Sequence, residues 1–377
     1  MTTFIHTADW HLGLSPRFLS EDARPRYAED RRRAVRAIAR IAGEEQAAFV
    51  VVAGDVFDSN HVDRAEVARA VDAMGAFDVP VFILPGNHDP FDAGSVYASA
   101  AFVENQPDNV VVVSDSVPID AAPGVQVVGA PWPSRRPAGD LTLAAVSSLQ
   151  PVPGVSRVLL AHGIVDVDAI AAEGGALISM AGLDSALRDG VLQYVALGDH
   201  HSAREVGGNP AVRYCGTPEM TRQSEQDAGG VLVVSLGAAR PEVRWRPVGQ
   251  WQFVRRQFSL SGGADVEAFD AALAQMPAKE TTVLRLDLSG ALTVGEDARL
   301  HEILDLRRDV FGSLTVSDRT YDVAVITGAD DLSALGLSGY ALEAAQQIAA
   351  AADGDGPDAE MARDALRLLY RLVQGAA

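Results

Sequence analysis

Apolar residues in the first two thirds of the chain fall into short, nearly unbroken runs: Phe4-Ile5, Phe49-Val50-Val51-Val52, Val81-Phe82-Ile83-Leu84, Val158-Leu159-Leu160 and Val195-Ala196-Leu197. Runs this brief and this rich in β-branched residues predict strands buried on both faces. Two stretches with a helical period separate the first three. Residues 27–44 place Val35, Ile38 and Ile41 on one face. Residues 63–77 open on a capping pair, Asp63 with Glu66, and carry Val67, Val71 and Met74 inward. Strand-helix-strand alternation predicts an α/β fold with parallel pairing and helices on the sheet faces. Further strands are expected at 110–113, 125–130, 212–215, 231–236 and 243–248. After Gly249, alternating segments at 253–260 and 283–288 flank an Ala-rich helix at 266–276, which predicts a small α+β domain. The chain closes on two helical stretches, 338–352 and 357–373, the second with Met361, Ala365, Leu368 or Leu369, and Leu372 on one stripe.

The polar cluster at the end of each buried run gives the pattern its chemistry. The clusters are Asp9-Trp10-His11, Gly54-Asp55 with Asp58, Gly86-Asn87-His88-Asp89, Ala161-His162-Gly163 and Gly198-Asp199-His200-His201. Ligands of α/β sheets bind at the carboxyl ends of the strands, where these clusters stand. Five of the eight histidines, His11, His88, His162, His200 and His201, lie inside them. Oxygen and nitrogen donors without thiolate suit Mn²⁺, Fe or Zn²⁺ rather than a cysteine-built zinc site. His6 points out of the first strand and reads as core, while His61 and His301 belong to no cluster.

The order DxH, GDxxD, GNHD, a lone His and G-x-x-H resembles the calcineurin-like metallophosphoesterases, and within them the SbcD-type exonuclease subunit of bacterial double-strand-break repair. The resemblance covers about residues 4–219 and ends in Tyr214-Cys215-Gly216-Thr217-Pro218-Glu219. It implies a four-layer α/β/β/α sandwich, with a small α+β capping domain and a C-terminal helical segment. Residues 1–248 would form the nuclease domain, with the strands from 191 onward in its second sheet. Residues 249–330 would cap it and help select DNA, and 331–377 would dock on the coiled-coil root of an SbcC-like ATPase. Carried over by position, Asp9, His11 and His201 hold one metal, Asn87 and His162 the other, and Asp55 bridges them. His88 is then the general acid, oriented by Asp89, and Asp58 can touch the scissile phosphate. Two divalent ions are implied, with Mn²⁺ expected and Mg²⁺, Fe or Zn²⁺ as alternatives. One position departs from the family: the last motif has Asp199 where a histidine is usual. Alternation along an extended segment puts Asp199 and His201 on one side, so Asp199 is the expected second-metal ligand and His200 its rival. The implied activity is hydrolysis of phosphodiester bonds at DNA ends, and a homodimer is compatible with it. Alternatives are a stand-alone phosphodiesterase or phosphatase acting on nucleotides or phosphoproteins, and a non-catalytic subunit that binds DNA ends or a partner.

Composition changes this picture at one point. The formal net charge is −20 and Lys279 is the only lysine, yet affinity for DNA comes largely from Lys and Arg. DNA binding must therefore rest on the metals with a local arginine cluster, or on a partner. Two clusters are available: Arg31, Arg32, Arg33, Arg36 and Arg40 on the first helix, and Arg135-Arg136 after Pro131-Trp132-Pro133-Ser134. Each reads equally as an ordinary solvated helix face or surface turn. With 377 residues and 48% hydrophobic content the chain can bury a large core in two or three domains. No apolar run nears the ~20 residues of a membrane span, the start enters a strand with no leader pattern, and Cys215 is the only cysteine. A soluble, cytoplasmic protein is expected.

Overall fold

The computed structural model describes residues 1–168, 177–237, 240–317, 321–326 and 337–352, and beyond them 358–359, 361–362, 365–366, 368–369 and 372. They form two compact units, residues 1–17 with 24–251, and residues 18–23 with 252–377.

The first unit runs β1 (Thr2–Thr7), α1 (Ala23–Glu44), β2 (Val50–Val52), α2 (Arg64–Met74), β3 (Val81–Ile83), α3 (Ala100–Val103), β4 (Val110–Val112), β5 (Ile119–Ala122) and β6 (Val125–Gly129). It continues with α4 (Leu141–Val146), β7 (Ser156–His162), α5 (Met180–Arg188), β8 (Tyr194–Gly198), β9 (Arg204–Val206), β10 (Asn209–Tyr214), β11 (Gly230–Leu236) and β12 (Glu242–Pro247). One sheet has the order β12-β11-β1-β2-β3-β4 and the other β5-β6-β7-β8-β10-β9. Strands β1 to β4 are parallel, as are β6, β7, β8 and β10.

Side-chain alternation sorts the unbroken apolar runs into layers. Val50 and Val52 pack with Val35, Ile38, Val67 and Met74 of α1 and α2. Val51 faces the other way, into a cluster with Phe4, Phe82, Leu160, Tyr194 and Val234 that lies between the sheets. Leu159, Val195 and Leu197 face outward again, toward Ala145 of α4 and Leu183 of α5. The result is the mixed α/β, four-layer sandwich that the sequence implies. Both faces of each sheet are covered, so continuous valine runs are stable there.

One expectation needs correction, and of the two readings of the α1 arginines the structure shows the acid-partnered helix face. Strands β11 and β12 extend the first sheet, not the second. β11 pairs antiparallel with β1, Val233 opposite Ile5, and its alternate residues Val231 and Val233 join the α1/α2 cluster while Val234 joins the inter-sheet cluster. The arginines of α1 do not form a free cationic stripe. Arg31 is buried, Arg32 pairs with Glu29 and Glu66, and Arg33, Arg36 and Arg40 pair with Asp30, Asp72 and Glu44.

The second unit contains β13 (Gln252–Leu260), α6 (Gly263–Gln275), β14 (Thr282–Thr293), α7 (Val294–Arg308), β15 (Ser313–Val316), β16 (Asp322–Ile326) and α8 (Tyr340–Ala352). Its sheet is parallel throughout. The 12-residue β14 pairs β13 on one edge, and on the other β15 along its first part and β16 along its last. Leu284, Leu286 and Leu288 pack under Phe269 and Leu273 of α6 and Leu300 and Ile303 of α7. The short segment 18–23 belongs here because Ser313 donates to the Phe18 carbonyl at 2.8 Å and Phe18 packs edge-on against Phe253. Ala349 and Ala352 of α8 pack with Val294, Ala298 and Leu366. The expected helix 357–373 lies partly outside the described residues. Among those described, Leu366 is buried while Met361, Leu368 and Leu372 are exposed.

Candidate metal centre

The loops after β1 and β2 are zipped together: Asp9, His11 and Leu12 donate their backbone N–H groups to the carbonyls of Gly54, Asp55 and Val56 at 3.0, 3.0 and 2.8 Å. Holding the loops this way forces unusual backbone. Asp9, His11, Asp55 and Asp199 all have positive φ, four of the seven such non-glycine residues among those described. Strain of this kind concentrates at functional sites. Glycine lets the loops close further. A Cβ on Gly54 would stand 2.2 Å from His162 Nδ1, and one on Gly86 2.2 Å from Asp55 Oδ1.

The predicted ligands converge into two adjoining clusters. Ligand atoms of Asp9, His11 and His201 lie within 4.8 Å of one another, and so do those of Asp9, Asp55 and His162. His11 Nε2 faces His201 Nε2 at 3.1 Å. His162 donates Nδ1–H to the Ala53 carbonyl at 2.8 Å. Its Nε2 then faces Asn87 Oδ1 at 3.0 Å, Asp55 Oδ2 at 3.3 Å and Asp199 Oδ1 at 3.7 Å. Two carboxylate oxygens this close to one ring nitrogen favour a positive charge between them. Burial pushes His162 down, but Asp55, Asp199 and Asp9 outweigh it and hold the imidazole well above its usual pKa. A divalent cation would satisfy the same field. Burial raises Asp9 to about 7, against the pull of His201 and His162. For Asp55, burial is outweighed by His162 and His11, which hold it below the usual carboxylate range. Asp55 Oδ2 also lies 3.9 Å from His11 Nε2, so this carboxylate adjoins both clusters. The donor set fits hard or borderline divalent ions.

Asp199 turns its carboxylate toward His162, and its N–H donates to Asp9 Oδ1 at 3.1 Å. His200 turns away, with Nδ1 3.1 Å from the Ser202 carbonyl and its ring 5.2 Å from that of Tyr214. His88 and Asp58 stand beside the centre. His88 donates Nδ1–H to the Asp58 carbonyl at 2.8 Å, and Asp58 Oδ1 is 3.4 Å from His11 Nδ1. Asp89 does not orient His88. Its buried carboxylate accepts from Gly86 N–H at 2.7 Å, Phe57 N–H at 3.0 Å and Tyr97 O–H at 2.5 Å. Burial, with the nearby charge of Asp55, raises it to about 6. Asp89 therefore ties the β2 loop to the β3 loop, and the backbone of Asp58 holds the imidazole.

Several supporting residues escape sequence reasoning. Arg31 donates to the carbonyls of Trp10 at 2.8 Å, Asp9 at 3.3 Å and Glu219 at 3.2 Å, filling the polar space under the strained β1 loop. Glu225 Oε1 accepts from His201 Nδ1 at 2.8 Å, with Thr221 beside it, so Nε2 is left to face His11. Thr217 donates to the Asp9 carbonyl at 2.8 Å. Trp132 donates Nε1–H to the His162 carbonyl at 2.8 Å. The Thr217-Pro218-Glu219 segment stands out in the sequence, but its reach to Asp9 depends on sheet order.

Fold and site together define a two-sheet α/β protein with a candidate metal centre. The model of the calcineurin-like phosphoesterase family matches residues 2–171. An 89-residue stretch is 38% identical to the DNA double-strand break repair protein Mre11 of Archaeoglobus fulgidus, covering 23% of this chain and 19% of that protein. The chain thus spans about a fifth of the length of this curated relative. Among solved structures, a dimetal phosphatase from Danio rerio gives a TM-score of 0.40 at 17% identity, over 65% of this chain and 96% of that one. A purple acid phosphatase from seeds of yellow lupin (Lupinus luteus) gives 0.38 at 12% identity, over 66% and 51%. Among the described residues no helix is long and apolar enough to cross a membrane.

Proposed function

We propose that the protein is a two-metal nuclease that hydrolyses phosphodiester bonds at DNA ends in double-strand-break repair, with Mn²⁺ as its working ion and an SbcC-like ATPase as its partner. The observation that carries the two-metal reading is the field around His162 Nε2, where Asn87, Asp55 and Asp199 converge. Asp9, His11 and His201 would hold one ion, Asn87, His162 and Asp199 the other, and Asp55 both. Bound there, the ions would supply Lewis-acid activation of water and neutralise charge on the phosphoryl group. The chain's own part is positioning and proton transfer. His88, with Nδ1 committed to the Asp58 carbonyl, presents Nε2 at the half-exposed side of the centre, where it can protonate the leaving oxygen. Asp58 lies against both His11 and His88 and keeps the two rings in register.

The DNA substrate is supported by the local identity to Mre11, and an ATPase partner by the exposed Met361, Leu368 and Leu372 of the tail. A phosphatase reading shares the same centre. Comparing Mn²⁺-dependent release of nucleotides from end-labelled linear duplex DNA with hydrolysis of p-nitrophenyl phosphate separates them. The proposal expects cleavage of the duplex, stimulated by the ATPase. Phosphomonoester turnover without any cleavage of DNA overturns it.

A further inference from the structure

Beside the metal centre lies a cavity of about 450 Å³ lined by Asp58, Ser59, Asn87, His88, Arg135 and Arg136, within the size range of small-molecule sites. The loop that brings the two arginines here is held firmly. Trp132 is buried, its Nε1–H on the His162 carbonyl, its backbone N–H on the Pro85 carbonyl at 3.2 Å, and its own carbonyl accepting from Phe91 N–H at 2.8 Å. Pro131 and Pro133 fix φ on either side. Arg135 and Arg136 themselves are exposed, and neither has an ion pair among the described residues. Arg32, Arg33, Arg36, Arg244, Arg246 and Arg299 all do. In a chain of net charge −20, two adjacent guanidiniums lining a cavity beside the centre concentrate positive charge there. Asp58, the one carboxylate lining it, is engaged with His11 and His88.

We infer that Arg135 and Arg136 form a subsite for the backbone phosphates of a polynucleotide strand adjoining the scissile one, and so determine preference for a strand over a small diester. The inference rests on the phosphodiesterase reading above. Guanidinium forks match phosphate oxygens two at a time, and the side on which they stand is that of His88, the leaving-group side. The subsite also reconciles the acidic surface with a polyanionic substrate, since the positive charge needed is local.

The test compares a dodecathymidylate with the dinucleotide TpT, which has no second phosphate, in the Mn²⁺-loaded full chain. The double variant Arg135→Ala with Arg136→Ala should raise KM for the dodecamer by about 10- to 100-fold. Its kcat, and its turnover of TpT, should stay within about twofold. The salt dependence of KM should become shallower by about 1.4 in log–log slope, the loss of two contacts to a single strand. Arg135→Lys with Arg136→Lys should recover part of the lost affinity, because the charge remains without the fork. Equal losses on both substrates would show that the loop acts only by supporting His162, and no loss would show an ordinary surface turn. Either result overturns the subsite. Wild-type protein that hydrolyses p-nitrophenyl phosphate but neither nucleotide substrate would remove the phosphodiesterase reading itself, and the inference with it.

Discussion

His88 shows how a residue's place can be legible in a sequence while its support is not. The GNHD motif places an imidazole beside a ligand, and the structure keeps it there, at the cavity next to the centre. Its neighbour Asp89 is the natural choice as orienting group, because adjacent residues are all that a motif displays. In the bend after β3 the two side chains part, and Asp89 ends up 0% exposed under the loop while His88 stays half-open. The same limit hides Arg31 and Glu225, which reach Asp9 and His201 across 22 and 24 residues. His88→Asn should keep metal content and lower turnover on DNA by about 10²–10⁴, the usual range for a lost general acid. Turnover within a fewfold of wild type, measured under saturating Mn²⁺, would remove His88 from proton transfer.

Among the elements, the buried strands and the two amphipathic helices are readable from period alone, since each apolar run is both strand and core. Sheet membership is not. The run 231–236 carries the same alternation whichever sheet it joins, and only the free edge of β1 decides for the first. A polar tie between the sheets is equally hidden. His6 on β1 is fully buried, with Nδ1 3.1 Å from Tyr194 O–H and Nε2 3.2 Å from the Leu197 carbonyl, both on β8. Burial lowers its pKa to about 3, partly offset by the bond to Leu197. A histidine held neutral in the fold but free to protonate when unfolded near its ordinary 6.5 contributes stability that is complete above pH 6.5 and is lost as pH falls toward 3. Between pH 6.5 and 5 that loss is about 2 kcal/mol. His6→Gln should be less stable than wild type at pH 7.5, yet lose about 2 kcal/mol less on moving to pH 5, as measured by urea unfolding. Parallel stability curves for the two proteins would show that His6 does not carry this sensitivity.

For the molecule as a whole, charge is the least informative feature. A net charge of −20 argues against nucleic acid, but what matters is where arginines are left unpaired, and pairing is visible only in the fold. The first helix, which looks basic, is neutralised by its own acids and by α2, whereas the short loop at Arg135-Arg136 has no ion pair among the described residues. Composition shifts after Gly249, and the first compact unit ends at Trp251. The inclusion of 18–23 in the second unit is not legible in the sequence, because nothing local in that segment signals a strand 295 residues away.

In the proposed centre Asp55 would serve both ions, and Asp199 would be a ligand where the resembled family has histidine. Metal stoichiometry of the Mn²⁺-loaded full chain after gel filtration tests this most directly, compared across wild type, Asp199→Ala and His200→Ala. The expected result is two ions in wild type, two in His200→Ala and one in Asp199→Ala. A single ion in wild type, or an ion lost from His200→Ala and none from Asp199→Ala, would contradict it.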